Sequence, residues 1–374
     1  MVIGYDGYNA VNNNKYRTDF SRVMLEKQSQ LHPENQYIIY TPKVTDNKYL
    51  TTVLTHRSIR IKQQHKGLTQ FVWRSVNGIL RSLKRHRVQV YHGLCGELPL
   101  MIAKSGIPTV LTFEDTEFLC EHCHLSFCER TLKRFMARKS CANAHHITVL
   151  SQAMKQHIVD TYNVDPSKVE VIPPSVISDY DNLNEGILNE AKYKYGIVED
   201  EYILVKCNTP TAISSTIVKA LAQCSGKTLD LLLVGKYSKP LAHAFKKEAE
   251  RCGYKGHIHN ITKSYHNRMA ALITMARACV LTGSSRTFPF NVVGAQYLGV
   301  PVISGPQYAD IVGDAAIIAD VNDVQDLARA LSQVNTDEAL RATLIERGKA
   351  VAVQYHADTI ADRYDAIYHN LCGR

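Results

Sequence analysis

A chain of 374 residues with 45% hydrophobic and 21% charged residues has the composition of an ordinary globular protein and is long enough for two domains, each with its own core. No apolar run approaches the roughly 18 residues of a membrane span, and the N-terminus enters MVIGYDG without a charged-then-apolar leader, so a cytoplasmic protein is expected. The net charge of +9 is uneven: the first 175 residues carry 23 Lys and Arg against 14 Asp and Glu, and the rest is balanced at 21 each.

The chain opens as a βαβ unit. MVIGY reads as a strand, residues 6–16 as a polar, Asn-rich loop, and Phe20, Val23, Met24 and Leu31 mark a helical period that ends before Pro33. TyrIleIleTyr (37–40) is the next strand. From Arg57 to Arg87 there are nine Lys and Arg and no acid, interleaved with Leu68, Phe71, Trp73, Ile79 and Leu83. This reads as a basic amphipathic segment, open to two readings: a solvated helix face, or peripheral contact of the basic N-terminal domain with an anionic membrane surface or acceptor. Nucleic acid is not expected, because no zinc-finger, RRM or helix-turn-helix pattern accompanies the charge.

Further strands follow at residues 88–92, 109–113 and 145–150, with Gly93 and Gly96 after the first and Glu114 and Asp115 after the second. Ser151 is a plausible N-cap for a helix carrying Met154 and Ile158. ValGluValIleProPro (169–174) closes the first half, and the polar stretch to about Glu190 reads as a linker. Apolar strands then recur at 202–205, 229–234, 257–261, 278–281 and 301–304, separated by helical stretches, with Gly299 as the stop signal of a helix over 292–298. A final helix, 357–371, carries Ile360, Ala361, Tyr364, Ile367 and Tyr368 on one face. Continuous apolar strands alternating with helices indicate parallel sheets covered on both faces. The expected fold class is α/β, two doubly wound Rossmann-like domains facing a central cleft, with boundaries at 1–178, 179–356 and a C-terminal helix at 357–374 that returns to the first domain.

Ten cysteines without secretory context suggest reduced thiols. Cys120, Cys123 and Cys128 are spaced so that zinc can be considered, but no second pair completes a site, and no metal is expected.

The stretch RTFPFNVVGAQYLGVPVISG (286–305) resembles a diagnostic segment of the GT-B glycosyltransferases of family 4, whose pattern is E-G-F-G-x-P-x-x-E-A-x-x-x-G-x-P-V-I. Phe288, Ala295, Gly299, Pro301, Val302 and Ile303 match. IGYDG with Ser21 and Arg22, the ProGluAsnGlnTyr run (33–37), HisGlyLeuCysGlyGluLeuPro (92–99), SerLysValGluValIleProPro (167–174) and AspIleValGlyAspAlaAla (310–316) fall in family order, nearest to bacterial surface-polysaccharide enzymes. The resemblance implies two Rossmann-like lobes, a nucleotide-sugar donor held by the second and a saccharide or lipid-linked acceptor by the first. No other cofactor is implied.

The residues that would do this chemistry depart from the family. Tyr16, Arg17 and Thr18 replace a glycine loop that lets the backbone approach the ligand. Glu114 stands for a histidine, although Asp115 remains. Ala212 and Ile213 stand for the Arg-Lys pair that would neutralise the donor diphosphate, with Cys207 in place of a glycine. Arg286 and Gly294 replace the two glutamates. Glycine has no side chain for a ribose, and arginine accepts no hydrogen bonds. Lys206 and Lys236 are alternative phosphate contacts. Two expectations follow: a pseudo-glycosyltransferase of lipopolysaccharide or surface-polysaccharide assembly, partnering an active glycosyltransferase at the inner face of the cytoplasmic membrane; or an active retaining enzyme with a rebuilt donor site.

Overall fold

The apolar strands pair in parallel, in two separate sheets. The computed structural model describes residues 1–7, 10–11, 20–41, 57–63, 78–120, 125–175, 180, 183–206, 213–235, 239–261, 266–282 and 288–373. Its contacts divide the chain into two units, Met1–Ser175 with Arg286–Phe288 and His356–Arg374, and Val176–Ser285 with Pro289–Tyr355.

In chain order, the first unit contains β1 (Val2–Asp6), α1 (Phe20–Leu31), β2 (Gln36–Thr41), β3 (Ile59–Gln63), α2 (Gly78–Arg85), β4 (Val90–Gly93), β5 (Thr109–Phe113), α3 (Phe127–Asn143), β6 (His146–Val149), α4 (Gln152–Tyr162) and β7 (Val169–Val171). The second contains α5 (Glu185–Tyr195), β8 (Tyr202–Lys206), α6 (Ile213–Gln223), β9 (Asp230–Val234), α7 (Lys239–Cys252), β10 (Ile258–Ile261), α8 (His266–Thr274), β11 (Ala278–Leu281), α9 (Phe290–Tyr297), β12 (Val302–Ser304), α10 (Ala309–Val312), β13 (Ala316–Ile318), α11 (Val324–Thr336) and α12 (Glu338–Val353). The last helix, α13 (Ala357–Leu371), belongs to the first unit.

Strand order is β3-β2-β1-β4-β5-β6-β7 in one sheet and β10-β9-β8-β11-β12-β13 in the other. Each order reverses once, between β1 and β4 and between β8 and β11, and a doubly wound sheet binds ligands beyond its strand ends at such a point. Both sheets are buried on two faces: Ile203, Val205, Leu231 and Leu233 point into one layer of the second unit's core, and Tyr202, Leu204, Leu232 and Val234 into the other.

Two local readings change. The basic stretch 57–87 is not one amphipathic helix. Ile59 to Gln63 alternates apolar and basic residues and adds to β2 as the edge strand of its sheet, where exposed charge discourages further pairing. Helix α2 buries Ile79 and Leu83, one turn apart, so its apolar side is already used. Residues 64–77 lie outside the described residues. The polar stretch after Pro174 is linker only in part, because Asn184 caps Ile187 N–H at 3.1 Å and starts α5, which buries Ala191. The short strand β13 (Ala316–Ile318) was not read from the sequence.

Ser151 is a cap: its hydroxyl accepts from Met154 N–H at 3.3 Å and begins α4. Gly299 ends α9 with φ +73°, which only glycine adopts without strain.

Helix α13 is held on the first sheet by a polar ladder as well as by packing. Tyr5, His92, Thr112 and Thr148 stand on successive strands β1, β4, β5 and β6. The Tyr368 hydroxyl meets Tyr5 Oη at 3.0 Å and His92 Nδ1 at 2.8 Å. His92 Nε2 meets Thr112 Oγ1 at 2.6 Å, Thr112 meets Thr148 at 2.5 Å, and Thr148 reaches Tyr364 at 3.3 Å. Every member is buried, so each needs its partner.

Candidate functional site

Beyond β4 the first unit turns on two glycines, Gly93 and Gly96. A Cβ at Gly93 would stand 2.9 Å from Leu98 Cδ2, and Gly96, with φ +71°, donates its N–H to Thr112 O at 2.9 Å. Both positions therefore require glycine. The start of α1 reaches Ala10 and the end of β5. Arg22, 2% exposed, donates from Nε and Nη2 to the Ala10 carbonyl at 3.1 and 3.0 Å. Buried Ser21 donates its hydroxyl to Glu114 Oε1 at 2.8 Å.

Glu114 is therefore a half-buried carboxylate at the end of β5, already engaged by the first turn of α1. Asp115 is exposed, and its Oδ1 accepts from Glu117 N–H at 3.1 Å. The two adjacent acids have different tasks: one is fixed by a helix, and the other closes its own turn. Tyr16, Arg17 and Thr18 lie outside the described residues.

In the second unit, Lys206 ends β8 and Ile213 begins α6, but their side chains are outside the described residues, as are Cys207, Ala212, Lys236 and Arg286. Phe288 is buried at 6% exposure. Helix α9 then starts at Phe290 with no side-chain cap and presents Gly294.

The surroundings of Gly294 are specific. A Cβ at this position would come within 2.6 Å of Tyr180 Cε2 and Cζ, and closer still to the Tyr180 hydroxyl. Real Cβ atoms do not approach so near, so the Tyr180 ring occupies the direction a side chain at 294 would take. Tyr180 is 6% exposed and packs with Ala270, Leu183 and Leu298; its ring centroid is 6.2 Å from that of Tyr297. On the opposite side of α9, buried Gln296 donates from Nε2 to Val312 O at 3.0 Å and packs against Gly348. Helix α9 is thus fixed on both sides by close packing.

Sequence reasoning missed Tyr180, which stands in a polar stretch 114 positions before Gly294 in the numbering, and no local pattern joins the two. Ser21 was singled out only as part of a resemblance, and nothing in one sequence pairs it with Glu114.

Among the described residues no group of three or more His, Cys, Asp or Glu could hold a metal ion. Cys120 and Cys128 carry free thiols, and Cys123 lies outside the described residues. Burial pushes the Cys141 and Cys279 thiols up to about 12, which makes them packing groups rather than nucleophiles.

Two family descriptions match the chain, "Glycosyltransferase Family 4" over residues 22–180 and "Glycosyl transferases group 1" over residues 197–351. The lipopolysaccharide core biosynthesis glycosyltransferase LpsE of Rhizobium meliloti is 27% identical over 154 residues, 40% of this chain and 44% of that protein. The O-antigen chain mannosyltransferase B of Escherichia coli is 22% identical over 280 residues, 73% of this chain and 72% of that one. The chain thus spans less than half of LpsE. Among solved structures, Anabaena Alr3699/HepE in complex with UDP superposes with a TM-score of 0.73 at 14% identity, over 99% of this chain and 100% of that one. WaaG, a glycosyltransferase involved in lipopolysaccharide biosynthesis, gives 0.64 at 16% identity over 98% and 99%. Both likenesses show the GT-B fold.

Proposed function

Because the chain belongs to the family 4 glycosyltransferases of the GT-B fold, we propose that it works in the assembly of bacterial lipopolysaccharide or another surface polysaccharide, on the cytoplasmic side, as a non-catalytic partner with a degenerate donor site. The likeness to LpsE and to the O-antigen mannosyltransferase supports the pathway. One contact supports the loss of the donor site: the Tyr180 ring lies where a side chain at position 294 would project.

A nucleotide-sugar donor needs two things from the second unit, cations for the diphosphate and carboxylates for the ribose and sugar hydroxyls. In the family resemblance, Ala212 and Ile213 stand where the cations would be and Arg286 and Gly294 where the carboxylates would be. A hydrogen bond to a charged group contributes about 1.5–3 kcal/mol, so losing one carboxylate weakens a nucleotide roughly ten- to hundredfold. Tyr180 also fills the space, so a water cannot simply replace the missing oxygens. The retained function in this reading is to hold a saccharide or lipid-linked acceptor, or an active glycosyltransferase.

A thermal-shift panel of UDP, GDP, ADP and CMP nucleotides and their sugars tests this on the wild type and Arg286→Ala. No shift at millimolar ligand is expected for either protein. A nucleotide that stabilises the wild type but not Arg286→Ala would overturn the reading in favour of an active enzyme with a rebuilt donor site, since bound ligand at a hundred times its Kd adds about 2.7 kcal/mol.

A further inference from the structure

The two edges of the first sheet are finished differently. At β7, Ile172 N–H donates to Val149 O at 2.9 Å, so Val171, one residue earlier, turns its carbonyl away from β6. Arg363 of α13 covers this edge, donating from Nη2 to Val171 O and to Glu170 Oε1, each at 2.7 Å. At β3, Tyr37 N–H donates to Ser58 O at 2.8 Å, and Tyr37 and Ile39 stand opposite Ile59 and Ile61. In a parallel ladder the residues flanking each register partner make the bonds, so Arg60 and Lys62 turn their backbone to β2 and Ile59 and Ile61 turn theirs outward. Among the described residues nothing bonds these outward groups.

The open edge is strongly basic. Arg60 and Lys62 are exposed and share the face of β3 opposite buried Ile59. Exposed Arg85, at the end of α2, stands with them: burial, and then Lys62, Arg85 and Arg60, lower the pKa of the one histidine they surround, His86. His86 Nδ1 lies 2.9 Å from Tyr40 Oη, which fixes the end of α2 beside β2. None of the three cations has an acidic partner among the described residues, and residues 57–87 contain no acid.

We propose that β3 receives an acidic, extended segment of a partner protein as an added strand. The segment's backbone pairs with the outward N–H and C=O groups of Ile59 and Ile61, and carboxylates on every second residue meet Arg60, Lys62 and Arg85. Strand addition draws affinity from main-chain bonds and selectivity from alternate side chains. The residues between the acids lie on the Ile61 side and are apolar. Charge chooses the occupant. A second copy would set Arg60 and Lys62 beside like charges, which is destabilising, so the charge that keeps copies apart admits an acidic strand. A lipid surface finds no apolar stripe to bury here, because Ile59, Ile79 and Leu83 are already buried. The inference concerns the first unit alone and is independent of the donor-site reading, so peptide and nucleotide binding succeed or fail separately.

Fluorescence polarisation of the full chain with a labelled peptide of alternating Glu and Val, about nine residues long, tests it. The wild type should bind this peptide at low salt about tenfold or more tightly than one of the same composition with its Glu in a single block. N-methylation of every amide keeps the carboxylates but removes the strand's donors, and should abolish binding. Arg60→Glu with Lys62→Glu changes two exposed side chains and should also abolish it, with a circular dichroism melt that matches the wild type. Ile61→Pro removes one outward N–H and no bond to β2, and should weaken the peptide about five- to tenfold. Three results would overturn the proposal: no binding by the wild type, equal binding of the alternating, block and N-methylated peptides, as a patch for any polyanion would give, or unchanged affinity in Arg60→Glu with Lys62→Glu.

Discussion

Gly294 and Tyr180 form a complementary pair, a missing side chain on α9 and a ring that takes its place. The pair makes a quantitative statement. Gly294→Ala should destabilise the chain by about 1–3 kcal/mol, because the new methyl must displace a buried ring. Tyr180→Ala with Gly294→Ala should cost less than the two single changes added together, since the neighbours are coupled. Urea unfolding of the three variants measures both. That position 294 has no side chain is read directly from the sequence. That the Tyr180 ring fills the space beside it is not, because contact between residues far apart in sequence is a property of the fold. Arg22 shows the same limit: the sequence marks it only through the resemblance, whereas the structure buries it, donating to the Ala10 carbonyl.

Among elements, α13 depends on the ladder beneath it. His92 is buried and its pKa is lowered to about 3, first by burial and then by the nearby His146. An unfolded histidine protonates near about 6.5, so the unfolded chain takes up this proton first as pH falls. The His92 contribution is intact above about pH 6.5 and is lost as pH drops toward 3, by up to about 1.4 kcal/mol per unit. Urea midpoints at pH 7 and pH 5.5 should differ in the wild type, and His92→Gln should flatten that difference. Tyr368→Phe removes the hydroxyl between Tyr5 and His92 and should cost about 1–3 kcal/mol at neutral pH, because it leaves a buried ring nitrogen without its partner. The apolar face of this helix was legible as Ile360, Ala361, Tyr364, Ile367 and Tyr368, all buried. That its tyrosines join a polar ladder across four strands was not, since strand alternation predicts a face and not which polar residues share it. Helix α2 and strand β3 show the opposite error, a charge run read as one element because composition outweighed a change of period.

For the whole molecule, the parallel strands and their rhythm carried the fold. Apolar runs such as LeuLeuLeuVal (231–234) belong to sheets buried on both faces, and two such sets give two doubly wound sheets. Function was less legible, because Tyr16, Arg17, Thr18, Cys207, Ala212, Lys236 and Arg286, which the sequence singles out, lie outside the described residues. The account therefore rests on whether the second unit retains a nucleotide site. Calorimetric titration of UDP and of GDP into the wild type, beside Tyr180→Ala with Gly294→Glu, asks this directly. The account predicts no heat of binding to the wild type at millimolar nucleotide. A wild-type Kd in the micromolar range, with the double variant binding no tighter, would contradict it.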